Sequence, residues 1–210
     1  MPLTLLHTAE VHRATFDAIA ARIAPGVLLH HVVRPDWLAR AQGGIEAPLE
    51  AEIAEALSAA HGPVLCSCTT LGPVAGALGA IRIDAPMMDE AARIAEETGG
   101  DIVMAYCLQS TLTPSAALLD AALEARGHRA KVHALSLAQF WPLFEAGQIA
   151  PFHAVIASGI RENMASAPRA ACVVLAQASM AGAAPLLPGL GLPVLTSPET
   201  ALRAALDMAS

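Results

Sequence analysis

The chain has 210 residues, of which 55% are hydrophobic and 15% charged, and this composition excludes a disordered chain because it supplies ample apolar surface for a core. Its formal net charge is −7 and its single lysine is Lys131, so it lacks the basic stripe that binding to nucleic acid or to an anionic membrane requires.

The first half alternates apolar runs of strand length with stretches whose apolar residues recur at helical spacing. In chain order it predicts a strand at 3–8, a helix at 10–23, a strand at 27–33, a short helix from 35, a helix at 48–60, a strand at 64–66, a short helix from 72, a strand at 81–83 and a helix at 86–98. Strands that alternate with helices are typical of a parallel α/β sheet.

The second half repeats this order. It predicts a strand at 102–108, a helix at 114–125, a strand at 132–137, a short helix at 138–145, a helix at 151–165, a strand at 172–177, a short helix at 180–187, a strand at 193–195 and a helix at 199–208. Segment 64–70 aligns with 173–179 at one offset of 109 residues (177 − 68), which makes Gln177 the counterpart of Cys68.

The internal repeat predicts an α/β fold of two pseudo-symmetric parallel-sheet units. We expect the first unit to comprise residues 1–99, joined by the C-terminal helix at 199–210, and the second to comprise residues 100–198. Because ligands bind at the carboxyl ends of parallel strands, we expect the functional site in the cleft between the two units.

Two stretches without charged side chains, residues 61–81 and 170–198, exceed the roughly 18 residues that a membrane span needs. Glycine and proline interrupt both, so each predicts strands, turns and short helices. Residues 1–4 lack the features of a signal peptide, which predicts a cytoplasmic protein. In that reducing compartment we expect the four cysteines to be free thiols, and their spacing predicts no metal site.

The most informative stretch is the end of the strand at 64–66, where Cys68 precedes a Gly72-Pro73 helix start. A thiol at the carboxyl end of a parallel strand is placed to react with a bound ligand. A helix N-terminus contributes at most about 2 kcal/mol, which predicts a thiol pKa lowered from about 8.5 to near neutrality. His7 is a candidate cationic partner. The alternative is a small buried hydrophobe, which is our interpretation of Cys66.

These residues resemble the aspartate/glutamate racemase superfamily, which includes hydantoin racemases, maleate isomerases and arylmalonate decarboxylases. The resemblance covers nearly the whole chain and rests on Leu5-Leu6-His7-Thr8 and on segments 64–72, 102–114 and 173–180. It implies two α/β domains with the site between them, no cofactor, a small carboxylic acid as substrate, and a homodimer. In the two-thiol members of the superfamily, one cysteine from each domain removes and returns a proton beside a carboxylate.

The sequence departs from that pattern in three places. Cys68 matches the first cysteine, but Gln177 stands at the place of the second. The following Ala178-Ser179-Met180 lacks the Thr-His of glutamate racemases, and the first loop has Thr8-Ala9-Glu10 where they have Asp-Ser. These departures argue against a glutamate racemase and predict a one-thiol chemistry.

The resulting prediction is a cofactor-independent, racemase-like isomerase that acts beside the carboxylate of a small acid, with Cys68 as base or nucleophile. A one-thiol decarboxylase and a small-acid binding protein without catalysis remain as alternatives. The residues assigned to binding the substrate are Thr8, Thr69, Thr70, Thr111, Gln177 and Ser179. The secondary candidates are His7, Glu10 and Cys107, the last as a displaced second thiol. Plain alternatives are helix caps for Thr70 and Ser179 and a place in the first helical turn for Glu10.

Overall fold

A computed structural model describes residues 2–208. The strands are β1 (Leu3–His7), β2 (Leu29–Val33), β3 (Val64–Cys66), β4 (Ile81–Arg82), β5 (Asp101–Tyr106), β6 (Val132–Ser136), β7 (Ala170–Leu175) and β8 (Val194–Thr196). The α-helices are α1 (Val11–Ile23), α2 (Pro35–Ala41), α3 (Ala47–Ser58), α4 (Gly72–Ala77), α5 (Ala85–Thr98), α6 (Gln109–Ala125), α7 (Trp141–Glu145), α8 (Ile149–Asn163) and α9 (Ser197–Met208). Segments of 3₁₀-helix cover Ala138–Phe140, Met164–Ser166 and Ala178–Leu186.

The strands form two four-stranded sheets with the same topology. The first has the order β2-β1-β3-β4 and the second the order β6-β5-β7-β8. Every neighbouring pair in both sheets is parallel. The predicted fold class, two α/β units with parallel sheets and an internal repeat, is therefore confirmed.

Strand register shows how far the repeat extends. In the first sheet Leu6 pairs with Cys66, and in the second Ala105 pairs with Leu175. Cys66 and Leu175 are separated by the offset of 109 residues found in the sequence (175 − 66). The central strands are buried on both faces because helices cover both sides of a parallel sheet, and all five residues of β1 are buried.

The chain divides into two compact units, Met1–Pro86 with Pro198–Ser210, and Met87–Ser197. Helix α5 belongs almost wholly to the second unit, and the predicted boundary at residues 99 and 100 lies at the opposite end of this helix. Its apolar side chains, among them Met88 and Ala91, belong to the core cluster that contains the β5 and β7 side chains Met104 and Val174.

Helix α9 returns to the first unit, where the Glu199 carboxylate accepts two hydrogen bonds from the Arg22 guanidinium of α1. The last helix of each half therefore packs in the unit formed by the other half. A sequence repeat shows that two helices correspond, but the sheet against which each one packs depends on the path of the chain.

The predicted start of the helix at residue 114 is wrong, because α6 begins at Gln109 and contains Pro114. Proline was interpreted as the first helical residue, where its missing N–H is harmless. Here it lies in the second turn and removes one backbone hydrogen bond.

Within residues 2–208, no helix is both long and apolar enough to cross a membrane.

Gly100, between α5 and β5, is required by a close backbone approach. A Cβ at this position would lie 2.7 Å from Ala171 Cβ and 2.9 Å from the Arg169 carbonyl oxygen. We expect Gly100→Ala to lower the free energy of unfolding by about 1–3 kcal/mol, because backbone cannot move aside as a flexible side chain does. Urea unfolding measures this. Gly43→Ala is the control, since a Cβ at Gly43 meets nothing within 4 Å, and an equal loss in both variants would contradict the argument.

Candidate functional site

The Cys68 thiol lies just beyond the end of β3 and is surrounded by hydrogen-bond donors. Its sulfur accepts hydrogen bonds from the Thr8 hydroxyl and from the backbone N–H groups of Thr70 and Leu71. Cys68 is 8% exposed and belongs to the core cluster under α2 and α3. Three donors on one sulfur favour the thiolate relative to the thiol.

Strand register brings Thr8 and Cys68 together. Leu6 pairs with Cys66, and the Ser67 N–H donates to the Leu6 carbonyl oxygen at 2.9 Å. Thr8 and Cys68 each follow this pair by two residues, just past the ends of β1 and β3, and side chains two residues apart in an extended chain point to the same face. The chain then turns toward α4, and the main-chain donors come from Thr70 and Leu71, the two residues directly before this helix.

The charge state expected for Cys68 differs from the one predicted. Burial raises the pKa of the thiol above its ordinary value, and the donors and the nearby Asp84 carboxylate modify this without reversing it. The prediction of a pKa near neutrality assumed that the full helix macrodipole acts on the thiol. Helix α4 is only six residues long, so its effect is smaller. At neutral pH the neutral thiol therefore predominates.

The Thr8 hydroxyl is the side-chain donor that favours the Cys68 thiolate, and its removal tests the site directly. We expect Thr8→Val to raise the thiol pKa by about one to two further units, because a hydrogen bond to a charged group is worth about 1.5–3 kcal/mol. The measurement is the pH dependence of Cys68 alkylation, resolved by mass spectrometry. Thr4→Val is the control, since Thr4 on the same strand donates to the His61 carbonyl oxygen at 3.2 Å. An unchanged pH dependence in Thr8→Val would contradict the assignment.

Cys66 is a core residue, as interpreted from the sequence. It is fully buried, and its thiol donates to the Cys68 carbonyl oxygen across 3.6 Å. Burial raises the pKa of the Cys66 thiol far above its ordinary range. All four cysteines are free thiols, as predicted.

His7 is not placed as a cationic partner for Cys68. Its Nδ1 lies 2.7 Å from Ser67 Oγ, and its Nε2 lies 2.8 Å from His31 Nδ1. Both ring nitrogens of His7 therefore have a hydrogen-bond partner. The Phe16 ring packs beside His7, with the two ring centroids 5.5 Å apart. Burial and the neighbouring His12 and His31 lower the pKa of His7 to about 3, so the ring is neutral at neutral pH.

The His7 contacts belong to a hydrogen-bond chain that crosses three strands. His31 Nε2 lies 3.0 Å from Asp17 Oδ1, so the chain runs from Asp17 through His31 and His7 to Ser67. It fixes the strand ends from the face opposite Cys68.

Among residues 2–208, no group of three or more His, Cys, Asp or Glu side chains is arranged to hold a metal ion.

Gln177 occupies the position in the second unit that Cys68 occupies in the first. Its Oε1 accepts hydrogen bonds from the backbone N–H groups of Cys107 at 2.6 Å and Leu108 at 3.0 Å. These two bonds to main chain involve the amide oxygen alone. With Oε1 fixed, the orientation of the amide is set, and the Nε2 group is the part that can donate to a ligand.

Cys107 is the counterpart of Thr8. The paired residues Ala105 and Leu175 precede Cys107 and Gln177 by two, as Leu6 and Cys66 precede Thr8 and Cys68. Burial raises the pKa of Cys107 to about 12. In each unit, two neighbouring strands are followed by a pair of polar side chains. The thiol of the pair follows β3 in the first unit and β5 in the second.

The remaining candidates divide into buried and exposed residues. The buried ones are Thr69, Thr70, Thr111 and Ser179. The Ser179 carbonyl oxygen lies 2.9 Å from His153 Nε2, and its buried hydroxyl has no hydrogen-bond partner within the described part of the chain. Glu10 is exposed, lies at the N-cap position directly before α1, and pairs with Arg13 at 3.4 Å.

The ion pair of Arg82 and Asp84, near Cys68, was not predicted from the sequence. Both side chains follow the charge-free stretch 61–81, and Asp84 is fully buried. Two opposite charges two residues apart at the end of an apolar strand were the available signal, since buried charges are seldom retained without a specific partner.

No protein-family model matches the sequence, and no curated protein sequence matches it. The fold is nevertheless similar to that of solved structures. A glutamate racemase from Francisella tularensis, solved in complex with D-glutamate, is 10% identical with a TM-score of 0.67, and the similarity covers 99% of this chain and 80% of that chain.

Two further structures extend the comparison. The aspartate racemase of Picrophilus torridus is 14% identical with a TM-score of 0.65, covering 100% of this chain and 94% of that chain. An arylmalonate decarboxylase is 15% identical with a TM-score of 0.56, covering 100% and 93%. The predicted resemblance is thereby confirmed at the level of the fold, which this chain shares with racemases and with a decarboxylase.

Proposed function

We propose that the protein is a cofactor-independent isomerase that acts at the carbon beside the carboxylate of a small acid, with Cys68 as its acid–base group. The observation that supports this is the Cys68 sulfur itself, which accepts hydrogen bonds from Thr8 and from the main chain at the end of a central strand. Cys66 lies two residues away without these donors and serves as the internal comparison.

The proposed step is a reversible proton transfer. The Cys68 thiolate takes the proton from the carbon, the electron pair of the broken C–H bond remains on the substrate as an enediolate, and the new S–H bond later returns the proton. Return to the same face of the same carbon gives exchange without a net change, so isomerisation requires delivery of the proton to another position of the substrate. Thr8 and the N–H groups of Thr70 and Leu71 stabilise the thiolate while it exists. The raised pKa of Cys68 makes the thiolate a minor species at neutral pH, so we expect turnover to increase with pH.

The acid group requires donors of its own. We assign this role to the Gln177 Nε2 group, because the two hydrogen bonds to Oε1 fix its orientation, and to the side chains of Thr69, Thr111 and Ser179. A carboxylate that accepts hydrogen bonds in this way withdraws charge from the neighbouring carbon and makes its proton more acidic.

The predominance of the neutral Cys68 thiol favours a second candidate, a decarboxylase. Here the C–C bond breaks, its electron pair stays on the substrate carbon as CO₂ leaves, and the neutral thiol gives its proton to that carbon. Such a reaction begins with the thiol and ends with the thiolate, which then regains a proton from water.

The presence of Gln177 where a second thiol would stand favours the third candidate, a binding protein without catalysis. One experiment separates the three. The protein is incubated in deuterated water with short carboxylic, 2-amino and malonic acids. Deuterium at the carbon beside the acid group supports the isomerase, and release of CO₂ supports the decarboxylase. Thermal stabilisation by an acid without either reaction supports the binding protein and contradicts the proposal.

A further inference from the structure

The ion pair of Arg82 and Asp84 lies at the end of β4, next to the strand that leads to Cys68. Arg82 Nε donates to Asp84 Oδ1 at 3.0 Å, and Nη2 donates to Oδ2 at 2.7 Å. The Asp84 side chain is fully buried, while that of Arg82 is 18% exposed. A bidentate pair of this kind allows a carboxylate to remain charged in the core, because the guanidinium replaces the water that it loses.

Strand pairing brings this carboxylate close to the thiols. Cys66 pairs with Arg82, and the Ile83 N–H donates to the Cys66 carbonyl oxygen at 3.1 Å. Cys68 follows Cys66 by two residues and Asp84 follows Arg82 by two residues, on adjacent segments of the same chain. The negative charge of Asp84 consequently disfavours the charged form of both thiols.

Arg82 also packs against the turn that holds the Cys68 sulfur. A Cβ at Gly72 would lie 3.0 Å from Arg82 Nε, and one at Gly76 would lie 3.2 Å from Arg82 Cγ. These two glycines of α4 leave room for the Arg82 side chain. Because Gly72 directly follows Leu71, the guanidinium that pairs with Asp84 also lies against the segment whose N–H groups bind Cys68.

We propose that Arg82 and Asp84 together control the charge state of Cys68, with Asp84 favouring the neutral thiol and Arg82, a positioning residue, limiting that effect. This inference rests on the proposed role of Cys68 as acid–base group. The other groups that face the thiol are the hydroxyl of Thr8, the N–H groups described above, and the Cys66 thiol. Among residues 2–208, Asp84 is the carboxylate beside the thiol, so removal of its charge should lower the pH at which Cys68 ionises.

The test is Asp84→Asn, which keeps the shape of the side chain and removes its charge while Arg82 remains. We expect the midpoint of the pH dependence of Cys68 alkylation to fall by about one pH unit. This gives about tenfold more thiolate near neutral pH. Because nucleophilicity decreases with pKa, alkylation by iodoacetamide should be about threefold faster.

The double variant Asp84→Asn/Arg82→Met separates the two charges. It leaves no unpaired charge in the core, so we expect it to fold, and its midpoint should fall by less than that of Asp84→Asn because the positive charge is also gone. Asp36→Asn is the matched control, since Asp36 accepts from Arg40 at 3.1 Å in an exposed ion pair of the same unit. Its midpoint should equal that of the unmodified protein.

A midpoint that stays in place or rises in Asp84→Asn overturns the inference, even where the thermal unfolding temperature falls, because a merely structural pair would change only stability. If Asp84→Asn does not fold, the double variant carries the test, and an unchanged midpoint there overturns it. Alkylation requires no substrate. Full turnover by Cys68→Ala would therefore refute the proposed function and leave the titration result unaffected.

Discussion

Replacing Cys68 by alanine should lower the rate of deuterium exchange into the substrate by about 10³-fold, the usual contribution of a group that transfers a proton in the transition state. The fold should persist, because the thiol lies at the end of β3 and its main-chain neighbours keep their strand pairing. Exchange followed by NMR in deuterated water measures the loss, and circular dichroism verifies the fold.

Cys66→Ala is the matched control for this experiment. The same atom is deleted two residues away, from a fully buried side chain whose sulfur donates to main chain. We expect a loss of about 1–2 kcal/mol in the free energy of unfolding and little change in exchange rate. Full activity in Cys68→Ala, or faster alkylation of Cys66 than of Cys68, would show that the assignment of the reactive thiol is wrong.

The position of Cys68 could be predicted from the sequence because it depends on local order. An apolar run that ends in Cys68 and continues into Gly72-Pro73 marks the carboxyl end of a strand, and the offset to Gln177 holds in the strand register. The face on which a neighbouring side chain lies was harder to predict. All residues of β1 are buried, so no alternation of polar and apolar residues distinguishes His7 from Thr8.

The equivalence of Cys107 and Thr8 needed the structure for a different reason. In sequence, Cys107 resembles a displaced second thiol because it follows a strand end in the second half. Pairing of Ala105 with Leu175 shows that it stands beside the Gln177 position and corresponds to the residue that donates to Cys68. Local repeats align one strand with its counterpart, whereas the partner of each strand is set by long-range pairing.

The charge state of Cys68 was mispredicted because a helix start was judged without its length or its burial. Burial opposes charge on a thiol, and a short helix offers little to offset it. The Arg82–Asp84 pair adds a buried negative charge that no local pattern placed near the thiol. Both effects depend on which side chains surround the sulfur in three dimensions.

On any substrate that it accepts, the unmodified protein should exchange the proton beside the carboxylate from one face only. Inversion of a carbon centre needs one group that removes a proton from one face and a second that delivers a proton to the other. In the proposed mechanism Gln177 takes the place of the second group, and an amide whose oxygen is held by two backbone N–H groups does not transfer protons near neutral pH. We expect exchange to exceed racemisation by about 100-fold.

The measurement is deuterium incorporation by NMR together with optical rotation, on the unmodified protein and on Gln177→Cys. The variant places a thiol at the counterpart of Cys68, where Ser179 and Met180 stand at the places of Thr70 and Leu71, so we expect racemisation to increase by at least about tenfold. Cys107→Ala is the control. If the unmodified protein racemises as fast as it exchanges and Cys107→Ala retains this activity, neither Gln177 nor Cys107 determines the stereochemical course and the one-sided mechanism fails.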